Sequence, residues 1–332
     1  MNNRRWVALA IAVGLFLISI VFRFTANMAT TDFEEAFGFW DRPFDENVIE
    51  EGNFNEKIAV LHVEGVIQDV STNELLSSTA YNHKGFLEML RHAAMDNTVE
   101  GIILRVNTPG GGVVESAEIH DQIAEIQEEY EKPVYISMGN TAASGGYYIS
   151  APADKIVAHP ATVTGSIGVI MESINFSELA DDLGIDFNTI KSGEYKDIMS
   201  ATRDMTEEEF EILQTIIDEM YDDFVQVIAD GRGMDEDEVR NLGDGRVYTG
   251  QQAYENGLVD DLGSMDDTIS MLRDDYDLQQ ASVIEYEANA GFSQYLMGTI
   301  QSTFGSPDVN ILGLQELFRQ SNAPSAMYLY TK

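Results

Sequence analysis

The sequence contains no cysteine, only five histidines and seven lysines, and 19 basic residues against 57 acidic ones. Without cysteine there is no disulfide framework, no thiol nucleophile and no thiolate metal site. The shortage of positive charge leaves a formal net charge of −38. A surface of that sign repels phosphate, which argues against nucleic acid as a partner. The acids are spread along the chain, in stretches such as "DMTEEEFE", "MDEDE" and "DDYD". A disordered acidic tail would concentrate them, whereas a solvated acidic surface spreads them. Such a surface suits a medium of high salt, where the repulsion is screened. No H-E-x-x-H occurs. "DEDEVRNLGDG" lacks the spacing of a calcium loop, because Val239 stands where an acidic ligand belongs. No metal or other cofactor is expected.

What is present is an apolar content of 44% over 332 residues, enough for one large domain or two small ones. The longest apolar run is at the start. Arg4 and Arg5 precede an uncharged stretch from Trp6 to Phe22, at the short end of a membrane span. Acidic residues follow Arg23, so the positive-inside rule places the N-terminus in the cytoplasm and the rest outside. A cleaved signal peptide is the rival reading, but its apolar region would be long and no A-x-A site follows. The division expected is a stub and anchor at 1–30, a polar linker at 31–55, a main domain at 56–285 and a tail at 286–332.

Within the main domain, "KIAVLHVEGVI" (57–67), "VEGIILRVN" and "PVYISM" read as strands. Between the last two, Val114, Ile119, Ile123 and Ile126 have helical spacing. "TEEEFEILQTIIDEMYDDFVQVIADGRG" opens with a capping box, Thr206 with Glu209, and ends near Gly231. Strands alternating with helices predict an α/β layered fold.

The stretch "TAASGGYYIS" (141–150) follows the third strand. Ser144 there is either a nucleophile at a strand-to-helix turn or a small residue at a close backbone approach. A nucleophilic serine needs a base. His62 and His159 lie in apolar runs that read as packed, and His120 falls within a helix pattern. The G-x-S-x-G elbow is missed, since position 142 is alanine, and no S-x-x-K occurs. Lysine remains. Lys191 and Lys196 lie together in "TIKSGEYKDIMSATRDMT". A desolvated lysine loses its proton near neutral pH and can then serve as base. The residues alone leave open which lysine does so, or whether both are surface groups.

Five motifs occur in order: "LRVNTPGGG", "NTAASGGYYIS", "TVTGSIGV", "SGEYKDIMS" and "DGRVYTGQQAYENGLVDDLG". Together they resemble the signal peptide peptidase A family in its short, membrane-anchored bacterial form, over roughly residues 56–285. The resemblance implies a Clp protease/crotonase-like layered sheet and helix domain behind an N-terminal transmembrane helix. It implies a serine endopeptidase with Ser144 as nucleophile, Lys196 as base and Ser166 orienting the lysine amine. Backbone N–H groups of Gly111 and Gly145 would form the oxyanion hole. Lys191 falls outside the matching position. The substrates implied are apolar remnant signal peptides outside the cytoplasm, and the assembly implied is a homo-oligomeric ring. Two further functions are compatible with the fold: a crotonase-like acyl-CoA enzyme and a non-catalytic membrane scaffold. An external location and the lack of a basic phosphate site oppose the first. The retained Ser144 and Lys196 oppose the second. For Lys196 to be neutral, its acidic neighbours Glu194 and Asp197 are expected to point away from the amine.

Overall fold

A computed structural model of the chain describes residues 44–69, 81–288 and 326–330. The apolar run Trp6–Phe22 and residues 289–325 lie outside them. No helix among the described residues is long and apolar enough to cross a membrane. The chain divides into two units. The first, Met1–Asp45 with Glu287–Asn289, enters the described residues only as strand ends. The second, Glu46–Tyr286 with Ala290–Lys332, carries everything that follows.

That second unit is built on a mixed sheet. Its main path runs β1 (Phe44–Glu50), β10 (Ala281–Ala288), β2 (Asn53–Glu64), β3 (Val99–Thr108), β5 (Val134–Ala143), β6 (Lys155–Ala158) and β9 (Asp261–Leu262). Pairing along the stretch from β10 to β9 is parallel. β7 (Val163–Gly165) adds to the end of β5 and pairs antiparallel with β8 (Val247–Thr249). Residues 44–50, read from sequence as part of a polar linker, are therefore strand. Val48 and Ile49 supply its β-branched residues, and both stay exposed.

Parallel neighbours need a crossover, and helices supply it. α1 (His83–Met95) joins β2 to β3, and α2 (Val113–Glu129) joins β3 to β5. Both pack on one face of the sheet. On the opposite face Ile58, Val60, Ile103 and Tyr135 meet Ile269 and Leu272 of α8 (Met265–Asp275). A sheet covered on both faces requires strands that are apolar without alternation, and "IAVL" and "IIL" are fully buried. Two short helices, α3 (Gly145–Tyr148) and α4 (Ser177–Asp182), follow β5 and β7. The long α5 (Glu207–Arg232) starts on the expected capping box of Thr206 and Glu209. It ends at Gly233, whose φ of 62° gives the left-handed C-cap that glycine adopts without strain. α6 (Glu236–Leu242) and α7 (Gly250–Glu255) complete the helices among the described residues.

Candidate active site

Ser144 stands where β5 ends and α3 begins. Its backbone has φ 54° and ψ −117°, and its surface is 1% exposed. A non-glycine residue in that region costs on the order of 1–3 kcal/mol and persists only where the surroundings enforce it. Here the enforcement is visible. β5 and β7 run parallel with Ala143 opposite Gly165, and the Ser144 N–H donates to the Gly165 carbonyl at 2.8 Å. On the other side Tyr147 and Tyr148 donate their N–H groups to the Ser144 carbonyl at 2.8 and 2.9 Å. The turn therefore holds the serine with its peptide groups fully engaged. Its side chain makes no cap hydrogen bond. Ser166, one residue beyond Gly165, is also left-handed, with φ 50°, and is buried. Its N–H donates to the Arg246 carbonyl at 2.8 Å.

The glycine strand β4 (Gly110–Gly112) lies beside this turn. Gly110 has φ 101°, and a Cβ there would stand 2.6 Å from the Gly145 nitrogen, so only glycine fits. Gly110 donates its N–H to Thr108 Oγ1 at 3.0 Å, and Gly112 donates to the Ile67 carbonyl at 2.8 Å. The Gly111 amide faces the other way. A Cβ on Gly145 would stand 3.2 Å from the Gly111 nitrogen, so the two backbones pass close to one another.

A peptide strand already lies along β4. The chain's own β11 (Met327–Leu329) pairs antiparallel with β4, Tyr328 opposite Gly111. Tyr330 donates its N–H to the Pro109 carbonyl at 2.8 Å. By the alternation of an antiparallel ladder, the Tyr328–Gly111 pair is again of the hydrogen-bonded kind. The Tyr328 carbonyl then faces the Gly111 amide, and it crowds the Cα of Gly110 beside the Gly145 nitrogen. The Tyr328 ring is fully buried. It stacks on Tyr148 with centroids 4.9 Å apart and meets Phe224 at 4.6 Å. Its hydroxyl donates to the Met220 carbonyl at 3.1 Å. Sequence reading missed this strand. The signal available was the short aliphatic–aromatic run "MYLY" at 327–330.

Lys196 lies in the turn-rich segment between β7 and α5 and is exposed in the single chain. The structure thus brings Ser144, Gly145, Gly111 and Ser166 to one end of the sheet and presents Lys196 to solvent. Lys191 has different surroundings. Its ammonium donates to Asp197 Oδ1 and to the Glu194 carbonyl, both at 2.7 Å. Asp197 also receives Arg203, so its carboxyl is held well below the usual range, first by the Arg203 hydrogen bonds and then by Lys191. Arg203 reaches on to buried Glu209 at 2.5 Å. Of the histidines read as packed, His62 is half-exposed near the end of β2 and pairs with Glu285 at 2.7 Å, while His159 is exposed. His159 lies just past the end of β6. His120 lies against the Tyr148 ring and pairs with Asp121. Among the described residues no cluster of His, Asp or Glu has the arrangement of a metal site.

Comparison with known proteins gives a consistent neighbourhood. The family model described as Peptidase family S49 matches residues 126–279. A protein of Enterococcus faecium named "Putative signal peptide peptidase SppA" is 41% identical over 99% of this chain and 99% of its own length. "Protease 4" of Haemophilus influenzae is 38% identical over 67% of this chain and 35% of its own length. "Serine protease SPPA, chloroplastic" of Arabidopsis thaliana is 31% identical over 66% of this chain and 32% of its own. Among solved structures, a ClpP1 mutant from Listeria monocytogenes is 20% identical. It covers 63% of this chain and 94% of its own with a TM-score of 0.40, a likeness too slight to build on.

Proposed function

Since this chain belongs to peptidase family S49, we propose that it is a membrane-anchored serine endopeptidase that uses Ser144 and Lys196 to cleave apolar signal-peptide remnants outside the cytoplasm. One observation carries the reading. A peptide strand lies antiparallel on the glycine strand, with Tyr328 opposite Gly111 and next to the turn that carries Ser144. A site that accepts an extended peptide in that pose has the geometry for acyl transfer from a peptide bond. The scaffold and acyl-CoA readings do not call for a peptide there.

In this mechanism the Ser144 hydroxyl attacks the scissile carbonyl and passes its proton to the neutral amine of Lys196. Negative charge moves to the carbonyl oxygen, where the Gly111 and Gly145 amides receive it. Removing one such donor typically costs about 3–4 kcal/mol of barrier. Lys196 then protonates the leaving amine, and water releases the acyl group from Ser144 by the reverse sequence. Ser166 orients the lysine amine without adding charge.

Desolvation disfavours the charged form of an amine, so the reading needs Lys196 taken out of water. The stretch that carries Lys196 also exposes Ile174, Leu179, Leu183, Phe187 and Ile190. The reading therefore includes a homo-oligomer in which a second copy covers this face and desolvates Lys196. Anchoring by Trp6–Phe22 puts the assembly at the membrane, with the N-terminus in the cytoplasm.

Cleavage of a quenched apolar peptide by the full chain, with fluorophosphonate labelling alongside, tests the proposal. Ser144→Ala is expected to lose both cleavage and labelling, and Lys196→Ala to lose cleavage. Cleavage surviving in Ser144→Ala removes the nucleophile assignment. Folded parent protein that neither labels nor cleaves favours a scaffold.

A further inference from the structure

We propose that Asn107, Thr162 and Thr164 are positioning residues for Ser144, holding surplus residues of β5 as a fixed bulge that aims the serine. This rests on the reading of Ser144 as the nucleophile. The ladder between β3 and β5 is regular as far as Val106 opposite Met138, and it resumes with Thr108 opposite Ala142. Over that interval β3 advances two residues, 106 to 108, while β5 advances four, 138 to 142. The surplus falls where β5 also changes its other neighbour, from β6, last paired at Met138, to β7, first paired at Thr141. Gly139 and Asn140 therefore have no register partner on β3, β6 or β7. The turn that carries Ser144 starts directly after this stretch. A bulge beside an active site re-aims the side chain that follows it.

Three side chains bond the backbone of this irregular stretch. Thr162 Oγ1 donates to the Gly139 carbonyl at 2.7 Å. Asn107 Oδ1 accepts the Thr141 N–H at 3.2 Å. Thr164 Oγ1 donates to the Ala142 carbonyl at 2.6 Å. The Ser144 N–H, bonded to the Gly165 carbonyl, completes the series. Asn107 comes so close to β5 that a Cβ on Gly139 would stand 2.8 Å from its own Cβ. Both threonines are buried, so a hydroxyl lost there strands its carbonyl away from bulk water. Their backbones are fixed in turn. The Thr162 N–H donates to the His159 carbonyl at 2.9 Å, and Gly250 donates to the Thr162 carbonyl at 2.7 Å. Thr164 is paired opposite Tyr248 of β8. The bulge is thereby referred to β3 on one side and to β7, β8 and the start of α7 on the other. Displacing a reacting group by about 1 Å costs on the order of 100-fold in rate, so a bulge free to slip would spoil the attack.

The test measures kcat and KM for peptide cleavage, the rate at which a fluorophosphonate labels Ser144, and Tm, all in the full chain. Thr162→Val and Thr164→Val remove a hydroxyl at nearly constant shape, and Asn107→Leu removes the acceptor. Each is expected to lower kcat and the labelling rate of the folded protein by about 10- to 100-fold. KM should stay at the parental value, because the proposed substrate strand pairs with β4 and not with β5. Thr162→Ser and Thr164→Ser keep the hydroxyl and should recover most of the loss. Thr268→Val is the control. It removes an equally buried hydroxyl in α8, which donates to the Ser264 carbonyl at 2.9 Å, and should lower Tm while leaving both rates unchanged. Parental rates in Thr164→Val and Asn107→Leu, with Tm lowered as in the control, mean that these side chains only stabilise the sheet, and the inference is overturned. A rise in KM with kcat unchanged overturns it as well. Asn107 is only half-buried, so its variant carries the test if a threonine variant fails to fold. Labelling and cleavage that survive Ser144→Ala would instead remove the reading beneath it.

Discussion

Ser144 and Ser166 are twin left-handed residues at the ends of two adjacent parallel strands, with φ of 54° and 50°. The register that sets Ala143 opposite Gly165 makes them neighbours, and the Ser144 N–H bonds the carbonyl of the residue just before Ser166. Strain at Ser144 is a cost to the fold that the site keeps. Ser144→Gly is therefore expected to abolish cleavage while stabilising the folded chain against Ser144→Ala by about 1 kcal/mol. Denaturant midpoints of the two variants measure this. A glycine variant no more stable than the alanine one would show that the turn carries no strain.

Gly110→Ala should be doubly harmful. The new methyl would meet the Gly145 nitrogen at 2.6 Å from a backbone at φ 101°. We expect cleavage to fall by two orders of magnitude or more, on the scale of losing an oxyanion donor, and stability to fall by about 1–3 kcal/mol. Activity at the parental level would move the oxyanion hole elsewhere.

In the proposed mode of binding, the tail strand and an extended substrate would claim the same edge of β4. A chain ending at residue 325 should cleave short peptides with a lower KM than the full chain, because the internal competitor is gone. Tyr328→Ala should act in the same direction, since the ring buried between Tyr148 and Phe224 anchors the strand. Unchanged KM in both variants would mean that substrate does not bind along β4.

Glu209 is lowered from its ordinary 4.5 to about 2, first by Arg203 and then by the Thr206 N–H, and Asp197 is lowered further. A carboxylate whose value is depressed on folding binds protons more weakly in the folded chain. Its contribution is complete above pH 4.5 and fades as pH falls towards 2. Protection against hydrogen exchange in residues 191–210, relative to the intrinsic rate at each pH, should therefore fall over that window, and Arg203→Gln should remove that fall. An identical profile in the variant would sink the assignment.

A net charge of −38 predicts a salt response. Repulsion among the acids weakens as the Debye length shrinks, so Tm should climb from low salt to molar salt. A flat Tm would mean that the acidic surface is indifferent to the medium.

Several features were legible in the chain because they depend on near neighbours. The capping box at Thr206 and Glu209, the unbroken apolar strands, and a serine opening a helix after β5 are all local patterns. Ser144 was visible as a candidate for the same reason. Its surroundings were not. Ser166 comes near through strand register, and Gly111 through the return of the chain after β3. Arg203 joins Asp197 to Glu209 across a loop, and no spacing rule marks such a triplet. The tail was hardest, since three residues at 327–329 pair with a strand more than 200 positions earlier.

By itself the sequence determined the kinds of structure and chemistry available. With no cysteine, few lysines, an excess of acid and strands alternating with helices, it points to an α/β layered fold and a strongly negative net charge, and it leaves serine with lysine as the nucleophile and base to consider. Tertiary structure decided which groups meet. Parallel pairing of β5 and β7 sets the backbone of Ser144, the left-handed turn at Gly110 aims β4, and the folded tail pairs with the edge of β4. It also separates the two lysines, binding Lys191 to Asp197 and leaving Lys196 uncovered. The physical reason is that propensity and patterning act over a few residues, whereas register, desolvation and charge compensation depend on contacts made only when distant segments pack.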